Sequence, residues 1–315
     1  MGQDSARIPK SSATLINLTM QVLVFHTIAA VFHERILTDR TFRFPWFFTT
    51  LEFLFNLCVS FGAQWFRDGI RLTPNGVLVR WGGLCGVLVM ASHGMTNSAY
   101  VRLNYTTETV LKSSKVFIVM LVAWALLGAR PPLRDLFCGV LLCVGLSIFS
   151  LADKLFAPKF HPVGVALTVG SLLVGAVLNS LQQYTLHNKS VDSNALLLVQ
   201  SASGTVCCAL FALANGELVD GIATLMDSPS EYWLLLLAHF SFLHLGVRKI
   251  LTLMAVFDAT SAQVVTSMRK VITFALSFVF FPHGKSFTML HAFGICLSLG
   301  AAFILEHGRT RKASL

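Results

Sequence analysis

The stretch PVGVALTVGSLLVGAVLNSLQQY, from Pro162 to Tyr184, runs without an Asp, Glu, Lys or Arg. Its length falls within the roughly 17 to 25 residues that carry an α-helix across a bilayer. It lacks the strict alternation and short segment length of an outer-membrane strand. A helix is then the spanning structure that satisfies its own backbone N–H and C=O groups in lipid. Comparable runs lie near residues 14–33, 46–66, 77–97, 106–128, 134–152, 194–214, 232–256, 260–281 and 287–306. Composition agrees, because hydrophobic residues make up 55% of the 315-residue chain and charged ones 12%, about half the ordinary share. That much apolar surface exceeds what one soluble globule of this length can bury. The chain reads as an all-α integral membrane protein with ten transmembrane helices, and a typical soluble enzyme is excluded.

The runs divide the chain into an N-terminal tail (1–13), five helices (14–152), a linker (153–161), five more helices (162–306) and a basic C-terminal tail (307–315). The first run follows Arg7 and Lys10 and continues to about Phe32, longer than a signal-peptide core, so it is expected to be an uncleaved span. With both termini cytosolic, that side collects about eleven Lys and Arg against about seven opposite, in the sense of the positive-inside rule. The loop between helices seven and eight carries Glu217, Asp220, Asp227 and Glu231 and no basic residue.

Sliding the chain on itself by 155 residues superimposes Val101 on Val256, Val110 on Val265, Lys115 on Lys270, Val116 on Val271, Leu121 on Leu276, Gly139 on Gly294 and Gly145 on Gly300. Chance can supply matches in a composition this rich in Val, Leu and Gly. A coincident intramembrane lysine and two coincident glycines at one offset are harder to obtain that way, so the chain reads as duplicated. Five spans per copy force the second copy to enter upside down, giving two inverted five-helix repeats. That is the construction of many secondary transporters, with the substrate site at the midplane between repeats.

Helix four reads Tyr105-Thr-Thr-Glu108-Thr-Val-Leu-Lys112-Ser-Ser-Lys115, and helix nine reads Thr266-Ser267-Met-Arg269-Lys270. Each of the cations Lys112, Lys115, Arg269 and Lys270 costs about 2.5 to 3.5 kcal/mol near the bilayer centre unless it meets water or an anion. One reading has them snorkel from helix ends or pair with Glu108 and Asp258. Two pairs at repeat-equivalent places favour the other, a phosphate-binding site. It would be lined by Tyr105 and by the hydroxyls of Ser113, Ser114, Thr266 and Ser267, with Arg269 making forked bonds and the lysines acting as point charges. Arg248 and Lys249 either help this site or mark a loop. Asn179, Gln182 and Gln183 in helix six either hydrogen-bond a base or ribose or glue helices together.

Other chemistries find no support. His239 and His244 are five apart and share no face, and the seven cysteines sit in apolar runs without CxxC spacing, so packing is expected and a metal site is not. No GxxxxGK[ST] motif is present, so ATP would be cargo and not fuel, and no cofactor is expected. The net charge of +9 lies in short loops and not in an aromatic-interleaved patch, which argues against nucleic acid. An embedded enzyme would need a nucleophile, base or metal constellation that is not visible. A channel would need charge rings, whereas a duplicated chain is already a two-state device. Gly82 with Gly86, and Gly139 with Gly145, are expected to allow close helix packing. The sequons at Asn17, Asn104 and Asn188 fall in a span, a very short luminal loop and a cytosolic loop, so none is expected to be glycosylated.

Several stretches together resemble the nucleotide-sugar transporter family of the drug/metabolite transporter superfamily. They are Lys112-Ser-Ser-Lys115-Val before Val119-Met120; Leu151-Ala-Asp153 with Ala157-Pro158 and Val163-Gly164-Val165; Leu186-His187-Asn188 with Ser193-Asn194; and Arg269-Lys270 leading to Thr273 and Leu276-Ser277-Phe278. Glu34 matches a glutamate at the end of that family's first helix. The branch resembled includes the transporters of adenosine 3′-phospho 5′-phosphosulfate (PAPS) and UDP-galactose-type carriers. The resemblance implies the drug/metabolite transporter fold in a Golgi or endoplasmic reticulum membrane. It also implies alternating-access exchange of a nucleotide conjugate for a nucleoside phosphate, with the basic residues of helices four and nine on the phosphates. Thr106 and Ile118 stand where prolines are usual, and Leu198-Val199-Gln200 replaces an aromatic-Asn element, which leaves base and sugar specificity open. PAPS carries about four negative charges and a UDP-sugar about two, so four cations favour PAPS with adenosine 3′,5′-bisphosphate as counter-substrate. A UDP-sugar/UMP antiporter and an ATP/ADP exchanger are the alternatives. The C-terminal Arg311-Lys312-Ala-Ser-Leu is not a dilysine retrieval signal, which favours the Golgi. Lipid is the surrounding partner, and a homodimer is a candidate assembly.

Overall fold

A computed structural model describes residues 11–38, 44–68, 76–103, 108, 111–112, 114–128, 130–151, 161–189, 191–268 and 288–313. Among them all regular structure is helical. The helices are α1 (Ser12–Thr38), α2 (Pro45–Asp68), α3 (Gly76–Tyr100), α4 (Lys115–Leu127), α5 (Leu133–Leu151), α6 (Pro162–Asn188), α7 (Ser193–Ala214), α8 (Glu217–Met226), α9 (Ser230–Val256) and α10 (Met289–Ala313). Residues 259–268 are helical too. By length and composition α1, α2, α3, α6, α7 and α9 can each cross a membrane, while Lys115–Leu126 and Met289–Ala301 are shorter apolar helices. The spans expected over 106–128 and 260–281 lie partly outside the described residues, as does most of the linker.

Local chemistry sets the boundaries. Pro162 opens α6, where its fixed φ fits and its missing N–H costs nothing. Asp192 caps α7 by accepting from the backbone N–H groups of Asn194 and Ala195 at 3.1 and 3.3 Å. Gly128 closes α4 with φ 67°, a left-handed conformation natural to glycine. The acidic segment after α7, expected to be loop, contains α8. Glu217 and Asp220 in its first turn suit the positive end of the helix dipole. Glu217 also reaches α2, where Oε2 accepts the backbone N–H of Trp46 at 2.8 Å.

The main packings are α3 along α6 and α7, α1 along α9, α2 along α7, and α5 along α10. Small residues permit them, as expected for helices whose association gains little from the hydrophobic effect in lipid. A Cβ on Gly82 would stand 2.9 Å from Val199, and one on Gly86 would overlap the carbonyl of Gln200. On α5, Gly145 lies against Ser298 and the Gly294 carbonyl of α10, while Gly139 admits the tip of Met120 from α4. Large apolar residues left uncovered, such as Ile16, Met20, Val24 and Val31 on α1 or Val206, Leu210 and Leu213 on α7, form faces for lipid.

Candidate functional site

Thr49, Glu52, Asn56, Ser60 and Gln64 recur every three or four residues on α2 and so share one face over roughly 22 Å of helix. Other helices meet this stripe along its length. Asn97 of α3 donates to Thr49 Oγ1 at 2.9 Å, and His93 Nδ1 of α3 donates to Glu52 Oε1 at 2.9 Å. His244 Nδ1 of α9 pairs with Asn56 Oδ1 at 2.9 Å. At the far end Ser60 and Gln64 line a polar cavity with Asp192, Asn194, His244 and Arg248, where Arg248 Nε donates to Asn194 Oδ1 at 2.8 Å. This stripe is not among the residues expected at a site from the sequence, although its polar spacing inside an apolar run was the readable signal.

The cations of helix four enter from another side. Lys112 forms an ion pair with Glu108, one turn before it and fully buried, and its Nζ stands 4.9 Å from the centre of the Tyr100 ring. Lys115 opens α4 and reaches α6. A Cβ on Gly175 would stand 4.0 Å from its Nζ and 3.1 Å from Ser92 Oγ of α3. Ammonium and hydroxyl therefore converge where α6 has no side chain, midway along that helix. Ser92 donates onward to the Ser171 carbonyl at 3.0 Å.

The remaining expected residues divide. Gln182 Nε2 donates to Gln200 Oε1 at 3.0 Å, a bond between buried side chains that joins α6 to α7. Gln183 Oε1 accepts the backbone N–H of Ala259 at 3.1 Å and caps the helix over 259–268. Ser114 and Thr266 donate to the carbonyls of Leu111 and Gln263, each three residues back. Ser267 is buried. Asn179 is buried with no hydrogen-bond partner for Nδ2 among the described residues. Arg269 and Lys270, with Tyr105 and Ser113, lie outside the described residues. Glu34 lies in α1 but its side chain is outside the description. His239 and His244 stay apart: Nδ1 of His239 bonds the Ala29 carbonyl at 2.9 Å.

A model of the UAA transporter family matches residues 14–308. The adenosine 3′-phospho 5′-phosphosulfate transporter 2 of Aedes aegypti is 28% identical over 89% of this chain and 72% of its own length. The mouse protein of the same name is 29% identical over 89% and 75%. The UDP-galactose/UDP-glucose transporter 4 of Arabidopsis thaliana is 28% identical over 86% and 76%. One solved crystal structure aligns over 95% of this chain and 99% of its own, with a TM-score of 0.68 at 16% identity, which is a likeness of fold.

Proposed function

We propose that the chain, which belongs to the UAA transporter family, exchanges cytosolic PAPS for luminal adenosine 3′,5′-bisphosphate across the Golgi membrane, with both termini cytosolic. It is a transporter and not an enzyme. The observation that carries the anionic cargo is the placing of Lys115 with Ser92 at Gly175, a charge held halfway along α6. In this reading Lys112, Lys115, Arg269 and Lys270 hold the phosphates, and Lys112 exchanges its partner Glu108 for substrate. Asn179, buried with an uncommitted Nδ2 donor, supports a contact to base or ribose. The polar stripe of α2 lines the route to the cavity at Arg248, which opens to the cytosol in this topology.

Alternation between outward and inward access draws support from the packing. A 155-residue exchange of halves carries the α3–α6 packing onto that of α9 with α1, and it carries α2–α7 and α5–α10 onto themselves. The correspondence is incomplete, since α3–α7 is a main packing and its counterpart α9–α2 a slight one, and the part that matches suits rocking of one repeat against the other.

The Arabidopsis relative, at similar identity, favours a second reading in which a UDP-sugar exchanges for UMP. Counterflow into liposomes containing the purified chain separates the two. Vesicles preloaded with adenosine 3′,5′-bisphosphate are expected to take up labelled PAPS saturably and not UDP-galactose. Uptake of UDP-galactose against preloaded UMP, with PAPS ignored, would replace the first reading by the second.

A further inference from the structure

The short helix α8 is held at the edge of the membrane by both of its neighbours. Asn215 and Gly216, the latter with φ 77°, turn the chain out of α7, and residues 227–229 return it to α9. Both α7 and α9 are long and apolar enough to span, so a helix of ten residues between them stays near the boundary. Its packing fixes the depth. Gly221 lies against the ring of Phe47, and Glu217 accepts the N–H of Trp46, both in the first turn of α2. Leu225 joins Ile36, Phe47, Tyr232 and Leu236 in one buried cluster.

These contacts also fix the roll of the helix, and its side chains fall into three sectors at about 100° per residue. Gly221 and Leu225, with Leu218, form the packed sector. Val219, Ile222 and Met226 lie within about 60° of one another and are left exposed at 63%, 46% and 76%. Asp220 and Asp227 form the third sector, about 80 to 100° from Val219 on the side away from Ile222. Acids, uncovered apolar side chains and packed side chains thus follow one another round the axis.

An uncovered apolar sector is costly in water, whereas at the edge of a bilayer it meets acyl chains. The chain on either side already faces lipid: Leu210 and Leu213 near the end of α7, and Trp233, Leu234 and Leu237 near the start of α9, are exposed. Trp46, Tyr232 and Trp233 stand at the adjoining ends of α2 and α9, as aromatic side chains do at membrane interfaces. We propose that α8 is an interfacial helix. Val219, Ile222 and Met226 sit among the acyl chains just below the headgroups of the leaflet on that side, luminal in the proposed topology, and Asp220 and Asp227 stand in water. The partner is the hydrocarbon of the lipid and not its charge, because residues 215–233 carry four acids and no Lys or Arg. This surface is separate from the anion site, and neither reading depends on the other.

The test puts the full chain in phosphatidylcholine liposomes, with the photoreactive residue p-benzoylphenylalanine replacing Val219, Ile222, Met226, Asp220 and Asp227 in turn. After illumination, mass spectrometry is expected to find lipid adducts at the three apolar positions in about tenfold or greater yield than at the two acids. Equal yields at all five positions, or lipid adducts at none, overturn the proposal. Adducts to a second copy of the chain at the apolar positions overturn it too, and make the sector a subunit interface. Met226 of the unmodified chain gives a second measurement should the variants fail to fold. In nanodiscs holding one copy, the water-soluble oxidant chloramine T is expected to oxidise it about tenfold more slowly than in the unfolded chain. Equal rates overturn the interfacial seat and leave the transport reading intact.

Discussion

Lys115 of α4 reaches across to Gly175 of α6, its Nζ 4.0 Å from the point where a Cβ would stand. The glycine thus makes room for a charged group. Gly175→Ala places a methyl 3.1 Å from Ser92 Oγ and within contact of the lysine stem, so the hydroxyl must give by a few tenths of an ångström. Gly175→Leu fills the space. The expected outcome is weakened counterflow for Ala and loss for Leu, with monodisperse protein in both; full uptake by the Leu variant would remove the site from the route.

Lys115→Ala and Lys270→Ala should each abolish exchange while leaving the fold intact. Truncating one member of a desolvated charge contact costs about 2 to 5 kcal/mol, on the order of 30-fold or more in affinity. Lys115→Arg keeps the charge but carries a planar fork in place of a point charge, and partial uptake is expected. Binding of adenosine 3′,5′-bisphosphate, with a thermal-stability check, measures both; normal uptake by either alanine variant would sink the phosphate site.

Six of the expected spans, those of α1, α2, α3, α6, α7 and α9, were legible because length and apolarity alone decide whether a helix can cross lipid. The glycines at 82, 86 and 145 were legible because small residues at helix spacing have few other uses there, and their partners are backbone or near-backbone atoms. The α2 stripe was hidden for a different reason. Its members are satisfied by helices far away in sequence, as with Asn56 and His244, and a lone polar residue in a span does not announce its partner. Lys112 and Glu108 show the opposite case, an i, i+4 pair visible in the sequence but overshadowed by the cation count. At α8 the acidic residues suggested loop, when two of them favour a helix N-terminus.

Gln182 and Gln200 provide a test of helix glue against substrate contact. Gln182→Leu leaves the Gln200 amide buried without its partner, a loss of about 1 to 3 kcal/mol. Replacing both by Leu removes the orphan and should recover most of that stability. If the double variant also transports normally, neither side chain reads the cargo. A stable double variant with altered preference between PAPS and UDP-galactose would instead make the pair a specificity element.

Glu217 ties the segment after α7 to the start of α2 through the Trp46 N–H. Burial pushes its carboxyl above the ordinary carboxylate range, although bonds from the Trp46 and Phe47 backbone pull the other way. An acid whose folded-state pKa is raised favours the folded chain most below its unfolded value near 4.5, and that contribution is lost as pH rises through the folded value. Glu217→Gln keeps an acceptor for Trp46 without the charge, so its Tm at neutral pH should equal or exceed that of the wild type, with a weaker dependence between mildly acidic and neutral pH. Glu217→Ala removes the acceptor and should cost about 1 kcal/mol, the ordinary value of a lost cap. Thermal unfolding of the three proteins in one detergent at two pH values checks this. A Gln variant as unstable as the Ala variant would show that the charge itself holds α8 to α2.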